Sequence, residues 1–323
     1  MKGLLFQLVD DMKYFSTSLC LIVFVMVGLV FPISRLQAAD CDLVIGVTLH
    51  PYYSWVSNII GEEGQVVPLV PSGADPHSYQ PLPQDVERLR NLNVVVINGL
   101  GHDEFIGPML KAINSDHLTI IDTGKGIPLI PVYTKRYDFE GGGTAKSYNS
   151  HTYISINGAI RQIRMISREL GKLCPDQAEI FKRNAREYSD RLRKMLTAAL
   201  DALAGVDSSS LRIATVHDGY AYLFQELGIK VSAVVQPRHG IRPSARQLQD
   251  TIKRIKRAGV RILFAELDYE KKYVDLIFQE TGCRIYKLSH VSHGQYTREY
   301  FEQAMAENLQ TIVRALTEVG HER

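Results

Sequence analysis

Residues 175–206 read PDQAEIFKRNAREYSDRLRKMLTAALDALAGV, and this stretch decides the fold. Between Pro175 and Gly205 it contains neither Gly nor Pro, and apolar side chains recur every three or four residues, at Phe181, Ala185, Tyr188, Leu192, Met195, Ala199 and Leu203. The spacing predicts one amphipathic helix of roughly 30 residues and about 45 Å. An ordinary long amphipathic helix has the same stripe. This one is too long for a crossover within one domain, so we predict a rigid spine that runs along two domains.

Short apolar runs alternate with helical segments on both sides of this stretch, which predicts parallel strands joined by crossover helices. The predicted strands are residues 41–47, 65–70, 93–98 and 118–122 before the spine, and 211–216, 230–235, 260–265 and 283–288 after it. The helix before the spine is expected to begin near Ser155 and to stop at Gly171. The predicted fold class is α/β, with two parallel-sheet α/β domains, residues 40–174 and 207–323, joined by the long rigid spine helix 175–206.

Residues 131–150 differ in composition from the rest of the chain. They are rich in Gly, Tyr and charged side chains and lack an apolar run. A segment of this length inside a compact domain is usually functional or disordered. We therefore predict a flexible loop that ends at His151.

Residues 19–31 form an uncharged apolar run, with Lys13 before it and Ala38-Ala39 after it. This is the layout of a secretory signal peptide, here residues 1–39, with Met12 as an alternative start of the chain. The run is shorter than the ~20 apolar residues that a membrane span needs, which disfavours the alternative of a retained anchor. We predict an exported periplasmic protein from which the signal peptide is removed.

Composition and cysteine content narrow the class of protein. The chain has 37 basic and 35 acidic residues, a formal net charge of +2 and no basic block, so nucleic-acid partners are not expected. Three cysteines follow the signal peptide, Cys41, Cys174 and Cys283, so at most one disulfide can form, and the sequence does not choose the pair. The sequence contains no Cys-x-x-Cys pair, so a zinc site made of thiolates is not expected.

Three polar residues lie at the carboxyl ends of predicted strands, at the edge where open parallel sheets bind ligands. They are His217, Glu266 and His290. Two further histidines, His77 and His151, lie on predicted loops, and Pro76 restricts the backbone before His77. Neutral imidazoles suit Zn²⁺ in a tetrahedral shell. The sequence therefore predicts a transition-metal site in the cleft between the two domains.

Five sequence segments resemble motifs of the periplasmic metal-binding receptors of zinc and manganese ABC uptake systems. They are Pro71-Ser-Gly-Ala-Asp-Pro-His77-Ser-Tyr-Gln-Pro, Ser150-His151-Thr-Tyr153, Ala214-Thr-Val-His217-Asp-Gly-Tyr220, Pro243-Ser-Ala245 and Phe264-Ala-Glu266. The resemblance covers residues 43–317 in family order. It implies two α/β domains around a long helix, a bound divalent metal, an ABC permease as partner, and His77, His151 and His217 as ligands.

The fourth ligand is where the chain departs from this family, because many members have an aspartate where this sequence reads Ser289-His290-Val-Ser-His293. We predict His290 rather than His293, and Glu266 or water are the remaining choices. Glu266 is expected to orient a histidine. His50, His102, His117, His239 and His321 are predicted not to be ligands, and Tyr79, Tyr153 and Tyr220 to be packing residues.

The predicted function is that of a monomeric solute-binding protein and not an enzyme. Its cargo is predicted to be zinc, with manganese or iron as alternatives, because carboxylate oxygens are few. The competing hypothesis is a metal-dependent hydrolase, with three histidines on zinc and Glu266 as general base. A surface adhesin is the third class considered, and it requires a surface anchor.

Overall fold

Two four-stranded parallel sheets form the framework of the protein. The computed structural model describes residues 41–74, 79–113, 117–135, 144–207, 211–234, 244–267, 269–292 and 294–320. The strands before the spine are β1 (Leu43–Val47), β2 (Gly64–Pro68), β3 (Val94–Ile97), β4 (Thr119–Asp122), β5 (Pro131–Lys135) and β6 (Thr144–Tyr148). Those after it are β7 (Ile213–Thr215), β8 (Val231–Val234), β9 (Ile262–Glu266) and β10 (Arg284–Leu288).

The helices that connect these strands lie close to the predicted positions. They are α1 (His50–Ile60), α2 (Pro83–Leu89), α3 (Ile106–Ile113), α4 (Ile156–Leu173), α5 (Ala178–Leu203), α6 (Ala221–Glu226), α7 (Ala245–Ala258), α8 (Lys271–Thr281) and α9 (Tyr300–Gly320). A short 3₁₀ turn, Pro175–Gln177, precedes α5. Among the described residues no helix is both long enough and apolar enough to span a membrane.

Continuous apolar runs become the central strands of each sheet. The first sheet has the order β2-β1-β3-β4 and the second has the order β10-β9-β7-β8. All five residues of β9 are buried, as a strand covered on both faces requires. Each sheet is parallel throughout, so the carboxyl ends of its strands share one edge.

The spine helix α5 has 26 residues and follows the apolar stripe of the sequence. Its buried side chains, which include Phe181, Ala185, Tyr188 and Leu192, belong to a core cluster with residues of both sheets, such as Ile45 and Phe264. Residues Cys41–Arg323 accordingly form one compact unit. The predicted boundaries at 174 and 207 remain a prediction.

The predicted stop of α4 at Gly171 is wrong, because the helix continues to Leu173. A Cβ atom at position 171 would lie 3.1 Å from the Cβ of Ala178. The glycine therefore lets α4 and α5 approach each other, and it does not end the helix.

The predicted loop 131–150 is also corrected in part, since its two ends pair as the antiparallel hairpin β5–β6, with Pro131 opposite Tyr148. The sequence predicts a loop here because the residues of these two strands form no apolar run. Residues 136–143, which include the three glycines, lie outside the described part of the chain.

A disulfide joins Cys41, just before β1, to Cys174, which caps the C-terminus of α4. This is the pair that the sequence alone does not choose. Cys283 is a buried free cysteine at the start of β10, and burial raises the pKa of its thiol to about 12. A buried thiol of this kind behaves as a small apolar side chain.

Candidate metal centre

Three histidines that are far apart in the sequence meet in one buried cluster. His151, His217 and His290 are each at most 6% exposed. One nitrogen from each lies within 4.8 Å of the other two. The ring centroids are separated by 4.8 Å for His151–His217, 5.1 Å for His151–His290 and 5.4 Å for His217–His290.

Two of the residues predicted for this site lie outside the described part of the chain. They are His77, the predicted first ligand, and His293, the alternative fourth ligand. The described residues on either side of His77 end at Ala74 and resume at Tyr79. Both assignments remain predictions.

His217 follows β7 and begins the 3₁₀ turn Asp218–Tyr220. The backbone N–H of Gly219 donates to its Nδ1 at 3.1 Å, and Oε1 of Glu266 lies 3.5 Å from the same nitrogen. Glu266 is the last residue of the neighbouring strand β9, and it is 8% exposed. The carboxylate therefore lies where the sequence placed it, beside a histidine at the carboxyl edge of the second sheet.

Gly219 keeps the space between two of the imidazoles open. A Cβ atom at this position would lie 2.7 Å from Nδ1 of His217 and 2.9 Å from Nε2 of His290. Any side chain here would displace both rings. The turn after β7 thus requires glycine because the histidines pack directly against its backbone.

His290 lies on a turn that is anchored at both ends. On one side the amide of Asn308 in α9 accepts from the N–H of Ser289 at 2.7 Å and donates to the Ser289 carbonyl at 2.9 Å. On the other side the Tyr296 hydroxyl donates to the Val70 carbonyl at 2.6 Å, across to the first sheet. Val291, next to His290, has φ of +60°, a left-handed conformation that is unusual for a β-branched residue.

His151 lies between the hairpin and α4. Its backbone N–H and its Nδ1 are each 2.9 Å from Oδ1 of Asn149. The Nδ2 of Asn149 donates to the Asp218 carbonyl at 2.8 Å. Burial raises the pKa of the Asp218 carboxyl, and a hydrogen bond from Asn149 opposes that shift.

His102 also contacts the cluster. The sequence predicts that it is not a ligand. Its ring centroid is 4.8 Å from that of His151, its Nε2 is 2.9 Å from the Tyr153 hydroxyl, and its Nδ1 is 3.3 Å from Oγ of Ser150. His102 is 1% exposed. The signal that could have found it is its place on the loop after β3, at the carboxyl edge of the first sheet, since ligands bind at such edges.

A cavity of about 310 Å³ opens beside this part of the site. Its lining includes Tyr79, Gln80, His102, Glu104 and Phe105. His102 is the lining residue that also contacts the cluster, through His151. The cavity therefore reaches the cluster through His102, and Tyr79 and Gln80 line its wall.

The remaining predictions for aromatic side chains agree with the structure where it describes them. Tyr220 is fully buried and donates to the Leu288 carbonyl at 3.0 Å. Tyr79 packs edge-on against Phe105 and donates to Asp85. His50 is not one of the three clustered histidines, and its ring stacks on that of Tyr296 with a centroid distance of 4.3 Å. Tyr153 is packed as predicted, and it also holds His102.

The described groups suit a divalent transition metal. Three imidazoles provide neutral nitrogen ligands, for which zinc, nickel, copper and iron are the usual partners. With metal–nitrogen distances of ~2.0–2.1 Å, tetrahedral ligand atoms lie about 3.3 Å apart, so the nitrogens need to move inward by little more than about 1 Å.

Comparison with known proteins gives a consistent assignment. The sequence model of the family described as zinc-uptake complex component A, periplasmic (ZnuA), matches residues 45–315. The chain is 22% identical over 245 residues to the high-affinity zinc uptake system protein ZnuA of Bacillus subtilis, covering 75% of this chain and 76% of that one. It is 23% identical over 302 residues to the zinc-binding protein AdcA of Streptococcus pyogenes, of which it spans only 57%.

A solved structure is more similar. The solute-binding protein FpvC of Pseudomonas aeruginosa, crystallised in complex with Ni²⁺, is 43% identical, with a TM-score of 0.78. The match covers 87% of this chain and 99% of that one. The same protein has also been crystallised in complex with Mn²⁺.

Proposed function

The chain belongs to the ZnuA family of periplasmic components of zinc-uptake complexes, and from this premise we propose that it captures Zn²⁺ and delivers it to an ABC permease. The family consists of solute-binding transport proteins and not of enzymes. Four imidazoles hold the ion in this proposal, those of His77, His151, His217 and His290. Nothing in the family or its relatives favours the hydrolase hypothesis.

One observation carries the proposal for the site. Three buried imidazoles from three separate loops bring nitrogen atoms within 4.8 Å of one another. Neutral imidazole nitrogens are among the ligands that Zn²⁺ prefers. One cation can bind all three rings at this spacing. The cavity beside them is lined in part by Tyr79, which is two residues from His77 in the sequence, and this supports His77 as a further ligand.

The nature of the ligands supports zinc as the cargo. Imidazole suits Zn²⁺, Ni²⁺ and Fe²⁺, whereas manganese sites use more carboxylate oxygen. Affinity in vitro follows the Irving–Williams order and favours zinc over manganese whatever the native cargo is. FpvC was crystallised with both Ni²⁺ and Mn²⁺, so elemental analysis of protein taken directly from its native compartment is the test of the cargo.

We place the protein in the periplasm as a monomer, after removal of residues 1–39. The disulfide between Cys41 and Cys174 supports an oxidising compartment. The layout of residues 13–39 supports export. Release of the protein by osmotic shock, with its N-terminus near residue 40, is the expected result.

Titration of metal-stripped protein with Zn²⁺ tests the proposal. One ion per chain is expected, because the histidines converge on a single site. The affinity should fall as the pH drops through ~6.5, since imidazole must be neutral to coordinate. Two equivalent tight sites, or none, would contradict it.

A further inference from the structure

Asn149 lies between the part of the site built on residues before α5, here called the first side, and the part built on residues after α5, the second side. It is 5% exposed. Its Oδ1 is 2.9 Å from the backbone nitrogen of His151 and 2.9 Å from Nδ1 of the same residue. Its Nδ2 is 2.8 Å from the carbonyl oxygen of Asp218 on the second side. No other amide among the described residues contacts both sides at the cluster.

The orientation of this amide is determined by its backbone partners. The backbone nitrogen of His151 can only donate, so the atom facing it must be the oxygen. The Asp218 carbonyl can only accept, so the atom facing it must be the NH₂ group. The two contacts give the same orientation, and rotating the amide by 180° would break both.

This orientation decides the tautomer of His151. Because Oδ1 of Asn149 only accepts, the His151 Nδ1 that faces it at 2.9 Å must carry a proton. A neutral imidazole protonated on Nδ1 presents its lone pair on Nε2. We propose that Asn149 is the positioning residue of the metal site, which fixes His151 in the Nδ1–H tautomer and ties this ligand to the turn that carries His217. The inference rests on the proposed function.

The backbone of Asn149 is held as firmly as its side chain. Its N–H donates to the Ile130 carbonyl at 2.9 Å, and its carbonyl accepts from the Tyr222 hydroxyl at 2.8 Å. The same hydroxyl accepts from the N–H of Ile130 at 3.0 Å. Tyr222 belongs to α6 on the second side. Asn149 is thus bound to the second side at two points, by its carbonyl to Tyr222 and by its Nδ2 to Asp218.

Two substitutions separate the two roles of Asn149, which are to fix the tautomer of His151 and to link this residue to Asp218. Asn149→Asp keeps an acceptor for Nδ1–H but loses the donor to the Asp218 carbonyl, and it places a carboxylate near the carboxylate of Asp218, whose Oδ2 is 3.3 Å from Nδ2 of Asn149. Asn149→Ala loses both. Asn184 provides a matched control, because its Nδ2 donates to the Ile59 carbonyl at 3.1 Å, away from the histidines.

The tautomer is measured first, in metal-free ¹⁵N-labelled protein at pH 8, by long-range ¹H–¹⁵N NMR of the imidazole nitrogens. The wild-type protein and Asn149→Asp should show His151 protonated on Nδ1. Asn149→Ala should show a shift toward Nε2–H. A wild-type His151 protonated on Nε2, or the same tautomer in wild type and Asn149→Ala, would overturn the proposal.

Zinc affinity and thermal melting are then compared, by chelator competition and by calorimetry. Asn149→Ala should lose about 10- to 100-fold in affinity, as is typical for residues that orient a ligating histidine. Asn149→Asp should stay within about tenfold of wild type but melt at a lower temperature. An equal affinity loss in Asn184→Ala would show a general effect of destabilisation and overturn the positioning role. If neither the wild type nor any variant binds zinc but the tautomers are as stated, the proposed function fails. The role of Asn149 in fixing the His151 tautomer then still stands.

Discussion

The two sides of the histidine cluster are held by different chemistry. On the first side, His151 faces a neutral amide whose oxygen accepts from Nδ1. On the second side, Nδ1 of His217 lies 3.1 Å from the N–H of Gly219 and 3.5 Å from a carboxylate oxygen of Glu266. The amide allows one tautomer. The Gly219 N–H favours the tautomer of His217 with an unprotonated Nδ1, because this N–H needs an acceptor. The Glu266 carboxylate favours the tautomer with a protonated Nδ1, because it needs a donor.

This difference shows which of the two proposed ligands has its tautomer fixed in advance and which one must change tautomer to bind a metal. If His217 coordinates through Nε2, its Nδ1 carries the proton and Glu266 becomes the favoured partner. The carboxylate then increases the electron density on the ring and stabilises the bound ion. His151 needs no such change. The predictions below test this contrast, from the largest expected effect to the smallest.

Removing a ligand from either side should have the largest effect. His151→Ala and His217→Ala should each weaken zinc binding by more than about 100-fold, since losing a ligand exceeds the 10- to 100-fold that is typical for residues behind one. Chelator competition measures this. His117→Ala, at an exposed position, serves as the control. Wild-type affinity in either variant would show that the substituted histidine does not bind the metal.

The fourth position should respond next. His290→Ala should weaken zinc binding about tenfold or more, and His293→Ala should have a smaller effect, because His290 already touches both other rings. The measurement is competition with the same chelator. Near-wild-type affinity in both variants would mean a shell completed by Glu266 or water.

The carboxylate behind His217 should have a smaller effect than a ligand. Glu266→Gln keeps the shape of the side chain but removes its charge, so the Nδ1–H form of His217 loses its preferred partner. Zinc affinity should fall about tenfold. Unchanged affinity, with a clear loss in Asn149→Ala, would show that only the first side depends on the group behind its histidine.

The smallest effect concerns stability and not binding. Glu226 in α6 accepts from the N–H groups of Ile156 and Asn157 at 2.8 and 2.9 Å, at the start of α4. Burial raises the pKa of Glu226 from 4.5 to about 7, and these N–H bonds oppose the shift. The folded protein therefore holds this proton more tightly than the unfolded chain. The resulting stability is complete below pH 4.5 and is lost as the pH rises through about 7.

The free energy of unfolding of the wild type, relative to Glu226→Gln, should therefore decrease by on the order of 1–3 kcal/mol between these pH values. Denaturant titrations at several pH values measure it. Glu187→Gln, on the exposed face of α5, is the control. If this difference in unfolding free energy increased with pH, Glu226 would stabilise the fold in its ionised form and not in its protonated form.

The sequence predicted the elements whose residues follow a simple period. The stripe of α5 and the apolar runs of the central strands specify their own conformation, and the strand-end rule found His217, Glu266 and His290. The family and the solute-binding function predicted from the motifs are confirmed by the family match and by FpvC. The hairpin was missed because β5 and β6 carry no apolar face. The sequence gives no sign of the role of Asn149, because that role depends on Asp218, which is distant in sequence.

The disulfide between Cys41 and Cys174 has a consequence for the order in which the protein is made. It joins two residues that are 133 positions apart, and the ring that it closes contains His77 and His151 but neither His217 nor His290. The ring therefore needs nothing from the second sheet in order to close. The three-histidine cluster, by contrast, is complete only with the last third of the chain. In synthesis from the N-terminus, all residues of the covalent ring thus precede the residues that complete the cluster.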